Sequence, residues 1–303
     1  MAQVPATKKM KRRALRLAAA LSPALAERLS PVASERAALA LRAASAGQLR
    51  PRAERVIFLI PLVGPHHVGD WEAVTARLAQ TLESFRRQEG AWQAVICCQE
   101  RPPLPAALAA DARIAWLPFD DPTPGNDKWR KLAALCEHLG RMATGPSYVM
   151  SFDADDLLRD GTVAEMLARQ EPGYLVETGY VMDHATGDVA LAGPPSAAMP
   201  LRKPFWKLCG SCLALFHDPA LPQSAAFLRE MTQHEHRMFP YLAALAGRAP
   251  VPFRKPAVLY VLNHGENFGA RRGRAGFKTR FVQRFRITDP KELAKVAEDF
   301  PAP

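Results

Sequence analysis

Four short apolar runs, separated by helix-patterned or proline-rich stretches, constrain this 303-residue chain more than any other feature. They are Val56-Ile57-Phe58-Leu59-Ile60, Ala94-Val95-Ile96-Cys97-Cys98, Ile114-Ala115-Trp116-Leu117 and Tyr148-Val149-Met150-Ser151-Phe152. Consecutive apolar residues over so short a length fit strands covered on both faces. After the first run, Trp71, Val74, Leu78, Leu82 and Phe85 mark one face of a helix reaching about Gln88, with Asp70 placed as its N-cap. Before the fourth, Trp129, Leu132, Cys136 and Leu139 mark another. The alternation predicts β–α–β units and a mainly parallel central sheet in an α/β fold. Strands at 174–182 and 189–191, flanking the turn residues 184–188, predict a small antiparallel hairpin. Short strands at 213–216 and 258–262 and a helical stretch at 235–246 complete the pattern.

Charge divides the chain into three. Residues 1–55 carry 12 Lys/Arg against 3 Asp/Glu, residues 56–253 carry 17 against 22, and residues 254–303 carry 11 against 5. The net +10 therefore sits at the two ends of a mildly acidic centre. A nucleic-acid-binding domain spreads its basic footprint over the folded body, so no nucleic-acid partner is expected. Basic ends fit an anionic membrane surface or a phosphate-bearing ligand. The expected organisation is a basic helical N-terminal arm at 1–55, a catalytic domain at 56–270 and a basic C-terminal tail at 271–303, glycine-spaced and mobile until something binds it.

Within the arm, Leu15, Ala18, Leu21, Leu25 and Leu29 recur at helical spacing beside Lys8, Lys9, Lys11, Arg12, Arg13 and Arg16. Arg16 interrupts the apolar stretch and Pro23 breaks it, which argues against a secretory signal. Residues 1–50 either lie on anionic lipid or form a helical arm, solvated or packed on the core. No run of 18 uncharged apolar residues exists to span a bilayer. The expected location is cytoplasmic, peripheral at the inner face of the membrane. Five cysteines in so long a chain argue for reduced thiols, and Cys209-Gly-Ser-Cys212 lacks a second pair to complete a zinc site.

Chemistry concentrates in Ser151-Phe152-Asp153-Ala154-Asp155-Asp156-Leu157, at the end of the fourth strand. Ligands of open α/β sheets bind outside the carboxyl ends of the strands. Three carboxylates within four positions repel one another unless a cation or donors hold them. Hard oxygen ligands favour Mg²⁺ or Mn²⁺, and Mg²⁺ held by one or two carboxylates is commonly completed by substrate phosphates. The alternative is a solvated acidic turn capping the next helix.

This arrangement resembles glycosyltransferases of the GT-A fold, family 2 type. The likeness is carried by Ile60-Pro61-Leu62-Val63-Gly64, by Thr81-Leu82-Glu83-Ser84-Phe85-Arg86-Arg87-Gln88, by Asp127-Lys128-Trp129-Arg130-Lys131, and by the D-x-D of Asp153 and Asp155. It implies a GT-A-like nucleotide-sugar-binding fold and metal-dependent transfer of a sugar from a nucleoside-diphosphate donor. The acceptor would be a hydroxyl of a surface glycan or a lipid-linked glycan. By the resemblance, Pro61, Leu62 and Val63 lie against the nucleotide, Lys128 and Lys131 serve donor binding, and Asp153 faces ribose or metal. Asp155 and a returning His264 would hold Mn²⁺ or Mg²⁺ and, through it, the diphosphate.

An inverting transferase needs a base for the acceptor hydroxyl. Glu235 is the first candidate, His234 the second and Asp183 a third; an N-terminal-turn carboxylate favoured by the helix dipole is the plain alternative for Glu235. The basic loop with Arg271, Arg272, Arg274 and Lys278 is suited to closing over phosphates, the plain alternative being a solvated charge run. Trp206, Gly210 and Ser211 are acceptor-side candidates, since rings stack on sugars and glycine permits close approach. Two other classes compete: a haloacid-dehalogenase-like phosphatase using Asp153, and a non-catalytic carbohydrate-binding relative.

Overall fold

The expected alternation is realised in the computed structural model, which describes residues 3–121, 126–265 and 275–301. Three helices, α1 (Lys9–Leu21), α2 (Pro23–Leu29) and α3 (Ala33–Ala44), precede the sheet. Then follow β1 (Arg55–Pro61), α4 (Trp71–Arg86), β2 (Trp92–Cys98), α5 (Ala106–Ala109), β3 (Ile114–Pro118), α6 (Lys128–Met142) and β4 (Ser147–Ser151). The second half comprises β5 (Leu157–Leu158), α7 (Thr162–Arg169), β6 (Gly173–Leu175), β7 (Gly179–Asp183), β8 (Val189–Ala192), β9 (Leu213–His217) and α8 (Pro222–Thr232). It closes with α9 (Phe239–Leu245), β10 (Val251–Pro252), β11 (Val258–Leu262), α10 (Ala275–Arg284) and α11 (Pro290–Asp299).

A seven-stranded sheet runs in the order β10-β6-β9-β4-β1-β2-β3, and a smaller one in the order β5-β11-β7-β8. In the large sheet β1 pairs parallel with both β2 and β4, and β9 alone runs antiparallel, between β4 and β6. Val56 to Ile60 are fully buried because helices cover both faces, which is why the run is apolar without alternation. The expected hairpin is β7 with β8, turning through 184–188.

The single strand expected at 174–182 is two strands in two sheets. Val176 N–H leaves the register to reach the Cys212 carbonyl at 2.8 Å, and the Glu177 carbonyl accepts from Phe205 N–H at 3.0 Å. The chain thus crosses from the large sheet to the small one, a tertiary event with no local signal. The expected helix at 235–246 starts later, because a 3-10 turn at His236–Met238 precedes α9.

The N-terminal segment is docked on the body. Ala38, Leu39 and Leu41 of α3 join the main core, packed against α8 and α9. Glu35, fully buried, organises the joint: its carboxyl accepts from Thr7 Oγ1 at 2.6 Å, Ser30 Oγ at 2.5 Å and Tyr241 Oη at 3.0 Å. Arg12 and Arg16 lie over the Tyr241 ring at 5.3 and 5.2 Å. The described part of the tail is likewise folded: Val296 and Phe300 pack with Tyr180, Val189, Leu259 and Val261 on the small sheet.

Removing a buried carboxyl that satisfies three hydroxyls strands all three. Glu35→Ala is expected to cost about 2–4 kcal/mol, read as a lower denaturant midpoint in one cooperative transition. A separate early transition for the N-terminal helices would show instead that they are an independent arm.

Candidate active site

Chain order places the site. From β1 the chain steps outward to β2 and β3, then returns to β1's other side as β4, so the strand order reverses between β1 and β4. Such switch points open a crevice at the strands' carboxyl ends. The loop after β1 (Leu62, Val63, Gly64) and the acidic turn after β4 (Asp153 to Asp156) flank it.

The turn is fastened from below. Phe152 N–H continues the ladder to the Leu59 carbonyl at 2.9 Å, and its buried ring meets Phe58 and Phe85 edge-on while those two stack at 4.0 Å. From α4, Thr81 Oγ1 donates to the Asp156 carbonyl at 2.8 Å, and Ser84 Oγ accepts from Leu158 N–H at 3.1 Å. Gln88 accepts from Val163 N–H and donates to the Arg159 carbonyl. The polar residues of the 81–88 segment therefore act as a staple for the acidic turn, which gives that segment a physical role.

Each aspartate meets a different environment. Asp153 Oδ1 pairs with Lys128 Nζ at 2.6 Å. Burial alone would raise its pKa, but Lys128, with His236 and Lys278 also acting on it, holds it below the usual carboxylate value. Asp155 Oδ2 lies 2.7 Å from His264 Nε2. Asp156 is fully buried and is pushed well above the usual value by that burial, then by the charges of Asp155 and Asp153. Its Oδ2 accepts from Ser211 Oγ at 2.6 Å and from Cys209 Sγ at 3.0 Å. Ser211 Oγ in turn accepts Asp153 N–H at 2.8 Å.

These contacts reassign several expected residues. Gly210 and Ser211, expected on the acceptor side, lie beneath the acidic turn; a Cβ at Gly210 would come 3.2 Å from Asp153 Oδ2. Trp206 gives its carbonyl to His236 Nδ1 at 2.7 Å. Lys131, expected on the donor, is 1% exposed and directs Nζ to Asp127, Gln99 and the Leu62 carbonyl at 2.8, 2.8 and 2.5 Å. It fixes the loop after β1 rather than offering a spare donor. Gly64 is needed beside it, since a Cβ there would stand 2.4 Å from Gln99 Oε1. Pro61 and Val63 are half-buried at the end of β1, while Leu62 is 1% exposed.

His234 is fully buried with Nε2 2.7 Å from Ser34 Oγ of α3, so it belongs to the N-terminal joint and cannot serve an acceptor. Glu235 remains 40% exposed, 3.4 Å from Arg237. Asp183 is buried in the hairpin, capping Ala185 N–H and bonded to Asn263 at 2.7 Å. Arg271, Arg272 and Arg274 lie outside the described residues.

Lys278 of α10 donates to Tyr260 Oη at 2.5 Å and acts electrostatically on Asp153 and Asp156. Burial holds its pKa below the usual lysine value. A second cation thus enters the site from the basic tail, and only its charge was visible in the sequence. Cys209 was expected only as one of two reduced thiols about a Gly-Ser turn, and that spacing carries no signal of a role at the carboxylates. Burial, then Asp156 and Asp153, push it well above the usual thiol value, so it is a proton donor to Asp156 and not a reactive thiolate. All five cysteines are free and buried.

The side chains that the structure groups for a cation, among the described residues, are Asp153, Asp156 and Cys209, and not the expected Asp153, Asp155 and His264. Asp156 Oδ1 is buried without a hydrogen-bond partner among the described residues, and ligand atoms of Asp153, Asp156 and Cys209 lie within 4.8 Å of one another. The carboxylates suit Mg²⁺ or Mn²⁺, and imidazole at His264 suits Mn²⁺ better; a protonated thiol suits neither.

No protein-family model matches the chain, and no curated protein matches it in sequence. Among solved structures, one that resembles it is the crystal structure of 4-diphosphocytidyl-2C-methyl-D-erythritol synthase. That likeness has a TM-score of 0.35 and 10% identity, and covers 81% of this chain and 98% of that one. The functional reading rests on the site itself. Among the described residues no helix is long and apolar enough to cross a membrane.

Two histidines, His217 buried and His236 half-buried, give the protein an acid limit. Burial lowers both His236 and His217 to about 4 from 6.5. Between those values the unfolded chain takes up protons that the folded one refuses, so their stability contribution is intact above about 6.5 and is lost as pH falls towards about 4. The expected loss is on the order of a few kcal/mol in total, and His217→Asn and His236→Asn should each flatten it. A stability profile unchanged in slope by both substitutions would contradict the assignment.

Proposed function

We propose that the protein is a glycosyltransferase that moves a sugar from a nucleoside-diphosphate donor to an acceptor hydroxyl with the help of Mn²⁺ or Mg²⁺. The observation that carries this reading is the acidic turn at the β1–β4 switch point, with three carboxylates faced by Lys128 and Lys278. A crevice with both a cation-binding turn and two ammonium groups suits a diphosphate, whose oxygens need positive charge as the sugar departs. A bound divalent cation would supply further neutralisation of the leaving diphosphate, held by Asp153 and Asp155 with His264.

The chain's own residues then have distinct tasks. Pro61, Leu62 and Val63 offer the wall for the nucleotide, positioned by Lys131 through the Leu62 carbonyl. Lys128 is already oriented by Asp153 and turns to the diphosphate when the donor arrives, with Lys278 on the other side. Asp156, kept neutral by burial, holds Ser211 and Cys209 in place and so fixes the floor under Asp153. We assign proton removal from the acceptor to Glu235, the exposed carboxylate before the His236–Met238 turn. A surface glycan or lipid-linked acceptor is the class this reading takes from the family resemblance.

The test is thermal unfolding with a panel of nucleotide sugars, with and without Mn²⁺, followed by transfer assays. A bound donor at 100 times its dissociation constant adds about 2.7 kcal/mol, and Asp155→Asn should abolish that gain. Transfer by Asp155→Asn should fall on the order of 10²-fold or more. Glu235→Gln should lower kcat about 10²-fold or more with donor affinity kept. Phosphate release from simple monoesters without transfer would instead support a phosphatase, and donor binding without turnover a binding protein.

A further inference from the structure

Docking of the N-terminal helices on the body leaves an outward face that the fold does not need. Of the eleven large hydrophobic side chains exposed among the described residues, five fall between 10 and 29: Met10, Leu17, Leu21, Leu25 and Leu29. On α1 the first three are spaced by seven and four residues, so they share one stripe. That stripe is not the one docked on the protein, which is formed by Leu15 and Ala19. Leu17 is 71% and Leu21 89% exposed. Scattered exposed leucines are ordinary, but a concentration on two successive helices marks an interaction surface.

Charge says what kind. Residues 8–29 carry seven Lys/Arg and one Asp/Glu. Lys9, Met10, Arg12, Arg13, Arg16 and Tyr241 line an open cleft of about 430 Å³ between α1 and α9, where Arg12 and Arg16 lie over the Tyr241 ring. Helical geometry places Arg13 on one flank of the apolar stripe and Lys11 on the other. A polyanion such as RNA would answer the cations but leave the leucines in water. A second copy would cover the leucines only by bringing two strongly basic segments together. An anionic bilayer answers both at once: acyl chains for the leucines, and phosphates for the cations.

We propose that the outward face of α1 and α2 docks on an anionic phospholipid bilayer. Leu17 and Leu21 enter the headgroup–acyl boundary, and the exposed Lys9, Lys11 and Arg13 beside them receive headgroup phosphates. The inference is independent of the transferase reading, because it concerns a different surface and a different readout.

The test is flotation of the full-length protein with phosphatidylcholine vesicles, with and without phosphatidylglycerol. The protein should float with the phosphatidylglycerol vesicles only, and less as salt is raised. Leu17→Ser with Leu21→Ser should abolish flotation and leave the melting temperature unchanged, because both side chains are exposed. Lys9→Gln, Lys11→Gln and Arg13→Gln should each weaken partitioning about five-fold. Deleting the segment is not a usable test, since α3 is part of the core. Flotation unaffected by the leucine substitutions, or equal on neutral and anionic vesicles, would overturn the proposal. Concentration-dependent dimerisation lost in the leucine variant, with no vesicle binding, would also overturn it and assign the face to a second copy.

Discussion

Mutual repulsion of Asp153, Asp155 and Asp156 is the constraint around which the centre of this molecule is arranged. Three like charges at the end of a buried strand cannot all persist unaided in a partly desolvated crevice. The fold resolves the conflict three ways. Lys128 neutralises Asp153, His264 faces Asp155, and Asp156 is buried deeply enough that its neutral form is favoured. That neutral carboxyl still needs hydrogen bonds, which is why Ser211 and Cys209 converge on it from the segment before β9. Segments distant in sequence are thereby tied to one turn.

The surrounding helices acquire their meaning from the same problem. α6 contributes Lys128 to the acidic turn and Lys131 to the loop after β1, so its first turn clamps both walls of the crevice. On the opposite side α4 supplies Thr81 and Ser84, which satisfy backbone groups that an irregular buried turn would otherwise strand. A site held in this way is positioned by regular elements, which is what precise handling of a small charged ligand requires.

The N-terminal layer is built on a second buried carboxyl, Glu35, which also accepts from Tyr241 of α9. Because it belongs to the folded body, its outward leucines and cations are presented on a fixed platform and need no ordering on contact with a partner. Less conformational entropy is then lost on binding than for a disordered basic tail.

The sequence by itself determined the strands β1 to β4, the helices α4 and α6, the hairpin, and the acidic turn at the end of β4. Those features are written in local periodicity and in clustering of like charges, which survive without knowledge of neighbours. Only the tertiary structure decided which side chains answer that charge. His234 lay one residue from the expected base yet turns away into Ser34, and Lys131 sat beside the site yet spends its protons on the scaffold. Cys209 showed only as half of a Cys-Gly-Ser-Cys pair and Lys278 only as one charge of the basic tail; the segment before β9 and α10 bring them to the aspartates. Burial and long-range pairing set these roles, and neither is encoded in the spacing of residues along the chain.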